Sequence, residues 1–247
     1  MLFNINKKIC VIKQPGGLGD IFYLQKLTHK LKNKYDIYWY VVSGYYWVKD
    51  YIKDVNFLDK QSEEMYSPLR ENQKFYNVYL NNTPYENQEI LYLPTLFAHN
   101  LLPDFKVMNS KYELAGINGD DWVDYFNFTR NHDKENKLFY DVLNLKDNEE
   151  YCFVTKNIGL GGTNKLDINY QGKLRVVELE YIPGFTLLDW CKVVEKASEI
   201  HIADSSISLV VEKLSLSTDK LFLYTRRSGN FSEIDYLFKK KFNLVDL

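Results

Sequence analysis

Cysteine is scarce in this chain. Cys10, Cys152 and Cys191 are the only three in 247 residues, and no two form a C-x-x-C pair. An odd number of thiols scattered through apolar stretches excludes a disulfide framework and fits reduced core cysteines in a cytosol-like compartment. The four histidines, His29, His99, His132 and His201, lack any spacing of the H-E-x-x-H kind. No metal is expected, and His201, in the alternating strand "EIHIAD", reads as a structural residue. No uninterrupted apolar span reaches transmembrane length, and the opening "MLFNINKKICVIKQ" lacks the apolar run of a signal peptide. A cytoplasmic, soluble protein is the expectation. An excess of one charge is also missing: 31 Lys and Arg stand against 33 Asp and Glu, and the basic residues are dispersed apart from Lys239 to Lys241. A duplex nucleic-acid binder needs a concentrated basic surface, so nucleic acid is not an expected partner. No repeat of solenoid length and no low-complexity segment is present.

What the chain has in quantity is aromatic residues, 20 Tyr and 15 Phe, within a hydrophobic share of 45% and a charged share of 26%. That balance supports a packed core and excludes wholesale disorder. The length suits two modest domains.

Short apolar runs alternate with amphipathic stretches, the pattern of α/β layers. Strands are predicted at Ile9 to Lys13, over "DIYWYVVSG" up to Gly44, and at Val55 to Leu58, Tyr76 to Leu80 and Ile90 to Leu93. A helix is predicted from Asp20 to Leu31, with Leu24, Leu27 and Leu31 facing inward. The stretch "DWVDYFNFTRNHDKENKLFYDVLNL" reads as helical with an interruption near Asn131, and the polar "KDNEE" after it marks a domain boundary. This gives domains at 1–148 and 149–247. The second half restarts with the strand "YCFVTKN", a Gly-rich loop "IGLGGTNK" and the strand "LRVVELEYI". The helix "TLLDWCKVVEKA" follows, opened by a capping box of Thr186 and Asp189. After it come the strand "EIHIA", the turn and helix "DSSISLVVEKL", and the strand "KLFLY".

Two stretches could carry chemistry. "PGGLGD" lies between a strand and a helix, where glycines let backbone approach a ligand. It is not a P-loop, because no Lys-Ser/Thr pair follows, and it departs from G-x-G-x-x-G. Asp20 taken alone reads as a stabilising charge at a helix start. In "IHIADSSISLVVEKL" a strand runs into Asp204, Ser205 and Ser206 at a helix start, and carboxyl ends of strands are where open α/β sheets bind ligands. An ordinary N-cap accounts for the same residues.

Together the two stretches resemble the ADP-heptose:lipopolysaccharide heptosyltransferase family. "VIKQPGGLGDIFYLQKLTHKL" looks like that family's opening, and "ADSSISLVVEKL" like its donor-site segment. The resemblance implies a GT-B fold, α/β, with two Rossmann-like domains facing across a cleft. The acceptor would lie on the N-terminal side, against a loop of Gly16, Gly17 and Gly19, and the nucleotide-sugar on the C-terminal side. Asp20 falls on the family's catalytic base. Asp204, Ser205, Ser206 and Ser208 fall on its donor-binding turn, and Thr163 and Lys165 on a phosphate-contacting loop that "TKNIGLGGTNK" matches loosely. Leu209 stands where the family usually has His, and the chain is shorter than family members.

An inverting glycosyl transfer needs a carboxylate to accept the attacking hydroxyl's proton and stabilisation for a departing diphosphate. No D-x-D triplet occurs, so the metal-bridging carboxylates of the other main glycosyltransferase fold are absent. The expected activity is therefore metal-independent transfer from a nucleoside-diphosphate sugar to a hydroxyl of a glycan or related acceptor, with no cofactor. A non-catalytic nucleotide- or sugar-binding module of the same fold is the alternative, and a nucleotide-sugar epimerase a third. Arg226, Arg227 and Lys156 read as solvated charge that could reach donor phosphates. The aromatics of "YWYVVSGYYWV" read as core.

Overall fold

The structure, a computed structural model, describes residues 7–59, 82–158, 164–225 and 234–246. The chain divides into two compact units, Met1–Thr129 and Arg130–Leu247.

The first unit is built on a five-stranded sheet of β1 (Lys8–Lys13), β2 (Tyr35–Val41), β3 (Asn56–Asp59), β4 (Tyr85–Glu86) and β5 (Ile90–Leu93). The order is β3-β2-β1-β5-β4, parallel throughout except for β4 at the edge. A parallel sheet covered on both faces needs strands that are apolar on both sides. Cys10, Val11 and Ile12 of β1, and Trp39, Tyr40 and Val41 of β2, are accordingly buried. The predicted strand Tyr76 to Leu80 lies outside the described residues, and the short β4 was not expected.

The predicted helix from Asp20 to Leu31 starts earlier and is divided. Helix α1 covers Leu18–Tyr23 and α2 covers Gln25–Leu31, with Leu24 at φ −78° and ψ 4° between them. The Gln25 side-chain amide donates to the Ile21 carbonyl at 2.7 Å, and the Thr28 hydroxyl donates to the Gln25 carbonyl at 2.8 Å. These side-chain bonds compete with the regular ladder, which apolar periodicity alone does not reveal. Leu24 and Leu27 are buried as predicted, whereas Leu31 is only half-buried.

Aromatic packing then fixes α1. Helices α3 (Ala98–Leu101), α4 (Val107–Glu113) and α5 (Trp122–Tyr125) follow β5. Tyr23 meets Tyr112 of α4 edge-on at 4.9 Å and Trp122 of α5 at 5.4 Å, and Phe22 stacks on Phe126 at 4.8 Å. Pairs of this kind contribute roughly 0.5–1.5 kcal/mol each beyond their buried area. The Tyr112 hydroxyl also donates to the Tyr23 carbonyl.

The stretch from 121 to 145 is not one helix. After α5 the chain has no regular structure up to Asn131, whose side chain caps α6 (His132–Asn136) by accepting from the Lys134 N–H at 3.1 Å. A wider turn, Lys137–Val142, continues it. The residues from Arg130 on pack with the second unit. Arg130 binds Glu135 and reaches Glu195 at 2.7 Å, and Phe139 meets Tyr151 at 6.4 Å. The division between the compact units therefore falls between Thr129 and Arg130, ahead of the polar "KDNEE" on which the sequence places the boundary.

The second unit carries β6 (Tyr151–Thr155), β9 (Arg175–Glu178), β10 (Glu199–Ala203), β11 (Leu221–Tyr224) and β12 (Asn243–Val245). Their order is β12-β11-β10-β6-β9, all parallel, with β10 in the centre. A small antiparallel hairpin of β7 (Asn157–Ile158) and β8 (Asn164–Lys165) stands apart. The predicted capping box is present: the Asp189 carboxylate accepts from the Thr186 N–H at 2.7 Å and from its hydroxyl at 3.0 Å. It opens a tight turn, Leu187–Trp190, that leads into α7 (Cys191–Lys196). Helix α8 (Ser206–Lys213) follows β10. Among the described residues, no helix is long and apolar enough to cross a membrane.

Candidate functional site

Where β1 ends, the chain leaves through Gln14, Pro15, Gly16 and Gly17 and enters α1 at Leu18. Gly17 has φ +80°, a conformation that costs an L residue roughly 1–2 kcal/mol. A Cβ on Gly17 would also stand 1.9 Å from Asp20 Oδ2. Glycine is therefore required there twice, for the turn and for the space beside the carboxylate. Among the described residues, a Cβ added to Gly16 would meet nothing within 4 Å. Gly19 lies inside α1, half-buried.

Asp20 sits in the first turn of α1 with its side chain 24% exposed. Lys111 of α4, buried at 7%, places Nζ 3.4 Å from Asp20 Oδ1. That ammonium donates to Gln14 Oε1 at 2.9 Å and to the Thr95 carbonyl at 3.0 Å. Gln14, itself buried, donates from Nε2 to the Gly16 carbonyl at 2.7 Å, and the Thr95 hydroxyl donates to Gln14 Oε1 at 3.3 Å. A buried ammonium is stable only where its donors and its charge are met. Here two oxygens meet the donors and Asp20 meets the charge. The same bonds tie the glycine loop to the carboxyl ends of β1 and β5. Asp20 Oδ1 faces this network, while Oδ2 lies beside the exposed Gly17.

Tyr45 belongs to the same place. Burial pushes its phenol up, the Leu18 backbone pulls it down through a hydrogen bond, and the Asp20 charge raises it again. Tyr45 lies in the aromatic stretch to which the sequence assigns only a core role. Lys111, Gln14, Thr95 and Tyr45 are the residues that sequence reasoning missed. The available signal was positional, since Gln14 follows β1, Thr95 follows β5 by one Pro, and Tyr45 follows β2, all at carboxyl ends of parallel strands.

In the second unit, the Ala203 N–H at the end of β10 donates to Thr155 Oγ1 at 3.1 Å, and the Asp204 N–H donates to the Tyr224 carbonyl at 2.8 Å. These bonds pin the turn to β6 and β11. Asp204, Ser205 and Ser206 follow, each half-buried. Ser205 is extended, with φ −155°, and α8 starts at Ser206. Ser208 is turned inward: it is 1% exposed, and its hydroxyl donates to the Ser205 carbonyl at 2.6 Å. It braces the turn from beneath. Leu209 is buried in the core. Lys165 is exposed on β8, and Lys156 pairs with Glu178 at 3.3 Å. Thr163, Arg226 and Arg227 lie outside the described residues.

His201, expected to be satisfied, is so on one side only. Its Nδ1 lies 2.8 Å from the Tyr224 hydroxyl, but Nε2 is buried without a hydrogen-bond partner among the described residues.

Two Rossmann-like units built on parallel sheets define an α/β protein of the GT-B architecture. Among solved structures, the chain is similar to a glycosyl transferase family 9 protein from Veillonella parvula DSM 2008. The TM-score is 0.55 at 12% identity, over 99% of this chain and 88% of that one. At that identity the likeness is one of fold. No family model matches the sequence. No curated protein matches it either.

Proposed function

We propose that this chain is a metal-independent, inverting glycosyltransferase that moves a hexose or heptose from a nucleoside-diphosphate donor to a hydroxyl of a glycan or related acceptor. The observation that carries this reading is the partly exposed carboxylate of Asp20, with Oδ1 3.4 Å from the buried Lys111 ammonium and Oδ2 beside Gly17. The fold shared with a glycosyl transferase family 9 protein and the resemblance of "PGGLGD" and "ADSSISLVVEKL" to heptosyltransferase segments point the same way.

In the proposed step the acceptor hydroxyl gives its proton to Asp20 Oδ2 as its oxygen bonds the anomeric carbon from the face opposite the leaving group. The bond from that carbon to the diphosphate oxygen breaks, and the nucleoside diphosphate leaves with the electron pair. Lys111 holds Asp20 in place and offsets its charge. The Asp204 carboxylate suits sugar hydroxyls, which donate, while Ser205 and Ser206 can donate to phosphate or sugar oxygens. The absence of a D-x-D triplet supports metal independence.

The test is transfer from a panel of nucleoside-diphosphate sugars by the full chain and by Asp20→Asn. Retained donor binding with lost transfer supports the reading. Equal transfer by both proteins refutes the role of Asp20, and donor binding without transfer by the unaltered chain favours the non-catalytic module.

A further inference from the structure

The second sheet carries a side-chain group that the proposed transfer does not use. The register of β6 and β10 sets Cys152 opposite Glu199. His201, two residues further along β10, shares that face of the sheet. The Cys152 sulfur, a Glu199 oxygen and a His201 ring nitrogen lie within 4.8 Å of one another. Glu199 opens β10 and Cys152 is the second residue of β6, so the group lies toward the strand ends opposite the Asp204–Ser206 turn.

Burial decides how to read this group. Cys152 is fully buried and His201 is 7% exposed. His201 stacks on Phe222 at 4.3 Å and meets Tyr170 edge-on at 5.2 Å, so its ring is held in place. Held there, Nε2 has no hydrogen-bond partner among the described residues and lies 3.7 Å from Glu199 Oε2, beyond hydrogen-bond range. A buried polar atom left in this way is a liability that native proteins rarely keep without a ligand, water or ion.

We propose that Cys152 Sγ, Glu199 Oε2 and His201 Nε2 form a binding site for a zinc-like transition-metal dication. Thiolate and imidazole together select such an ion over magnesium or calcium. Ligand atoms around tetrahedral zinc stand about 3.5 Å apart, from metal distances of about 2.3 Å to sulfur and 2.0 Å to nitrogen. The three atoms lie within 4.8 Å of one another, so the group contracts by up to roughly 1 Å on binding, and Glu199 Oε2 already stands 3.7 Å from His201 Nε2. The other Glu199 oxygen, Oε1, is held by Lys220 at 3.0 Å, and Tyr170 also supports the ionised carboxylate. Tyr224, whose hydroxyl lies 2.8 Å from Nδ1, provides the outer partner that ligating imidazoles carry: when it accepts Nδ1–H, the Nε2 lone pair is left for the ion. The fourth position is open to water, and Glu199 and Lys220 form the exposed approach.

Only the thiolate ligates, so binding transfers the Cys152 proton to solvent. Burial, and then the Glu199 charge, push that thiol up to about 12 in the metal-free protein. Burial also holds His201 below its ordinary range, against the pull of Glu199, which keeps the ring neutral for ligation at neutral pH.

The test is titration of the chelator-stripped full chain with cobalt(II), followed by sulfur-to-cobalt charge-transfer absorption and then by displacement with zinc(II). The expected result is one equivalent bound with that absorption, lost in Cys152→Ser, weakened at least tenfold in His201→Gln, and unchanged in Cys10→Ser. No charge-transfer absorption from the unaltered chain at one equivalent would overturn the site, whether or not the variants fold. Absorption that survives Cys152→Ser would overturn it as well. Neither outcome bears on the transferase reading, which uses none of these three residues.

Discussion

Lys111 Nζ lies 3.4 Å from Asp20 Oδ1, a buried ammonium beside a partly exposed carboxylate, where the ends of β1 and β5 adjoin. Gln14 and Thr95 complete the contacts of the ammonium. Removing Lys111 takes one charged donor from Gln14 Oε1, which keeps the Thr95 hydroxyl, and one from the Thr95 carbonyl, which keeps the Ala98 N–H, and it leaves Asp20 without the Lys111 counter-charge. Lys111→Met should destabilise the fold by about 1.5–3 kcal/mol in urea unfolding, the range for losing hydrogen bonds from a charged group. It should also lower the transfer rate at least tenfold with donor affinity unchanged. A loss of donor affinity equal to the loss of rate would contradict the assignment of Lys111 to Asp20.

The two loop glycines should behave differently. Gly17→Ala meets both a positive φ and the Asp20 carboxylate at 1.9 Å. It should cost roughly 1–2 kcal/mol of stability from backbone conformation alone and displace Asp20. Gly16→Ala meets nothing within 4 Å among the described residues and should change neither stability nor transfer appreciably. Paired unfolding curves and transfer assays on the two variants measure the contrast.

Much of this fold was legible in the sequence, for a physical reason. Strands buried on both faces must be continuous apolar runs, so "ICVI", "IYWYVV", "ILYL", "YCFV" and "IHIA" announced β1, β2, β5, β6 and β10. The positions of Asp20 after the glycine turn and of Asp204 to Ser206 after β10 were readable because both lie next to such runs. Lys111 was not, because it reaches Asp20 through tertiary packing of α4 and its own segment carries no motif. The break at Leu24 was hidden because Gln25 and Thr28 make side-chain bonds to backbone that periodicity does not register. The association of Cys152 with Glu199 and His201 depends on strand register, which places residues far apart in sequence on one face.

Arg130 should matter to the second unit more than a surface residue would. Glu135 is 1% exposed and is held by the Arg130 guanidinium, which also binds Glu195 at 2.7 Å. Losing one partner of a buried pair leaves an uncompensated charge, at a cost of roughly 3 kcal/mol or more. Arg130 is itself a quarter exposed, so solvent screening should bring Arg130→Met to about 2 kcal/mol. Double substitution with Glu135→Gln should recover part of the loss, and calorimetric unfolding of both proteins checks it.

His201 sets a pH dependence in the metal-free protein. Burial holds its folded-state value below the ordinary 6.5. The unfolded chain then binds the proton first, so this contribution to stability is complete above about pH 6.5 and declines as pH falls from there through the folded value. His201→Phe, which keeps an aromatic ring against Phe222, should flatten the decline in unfolding midpoint between pH 7 and pH 5. An unchanged slope would place the acid sensitivity elsewhere.

The central claim is tested most directly by nucleotide-sugar binding and turnover on matched proteins. Thermal midpoints of the unaltered chain, Asp20→Asn and Ser206→Ala are measured with ADP, GDP, UDP, CDP and TDP and their sugar conjugates, without metal, followed by transfer from whichever donor binds. A ligand that binds only the folded state raises the midpoint by mass action. The prediction is a rise selective for one nucleotide in the unaltered chain, the same rise in Asp20→Asn with transfer reduced by about 10²-fold or more, and a smaller rise in Ser206→Ala. No rise with any nucleotide, or full transfer by Asp20→Asn, would contradict it.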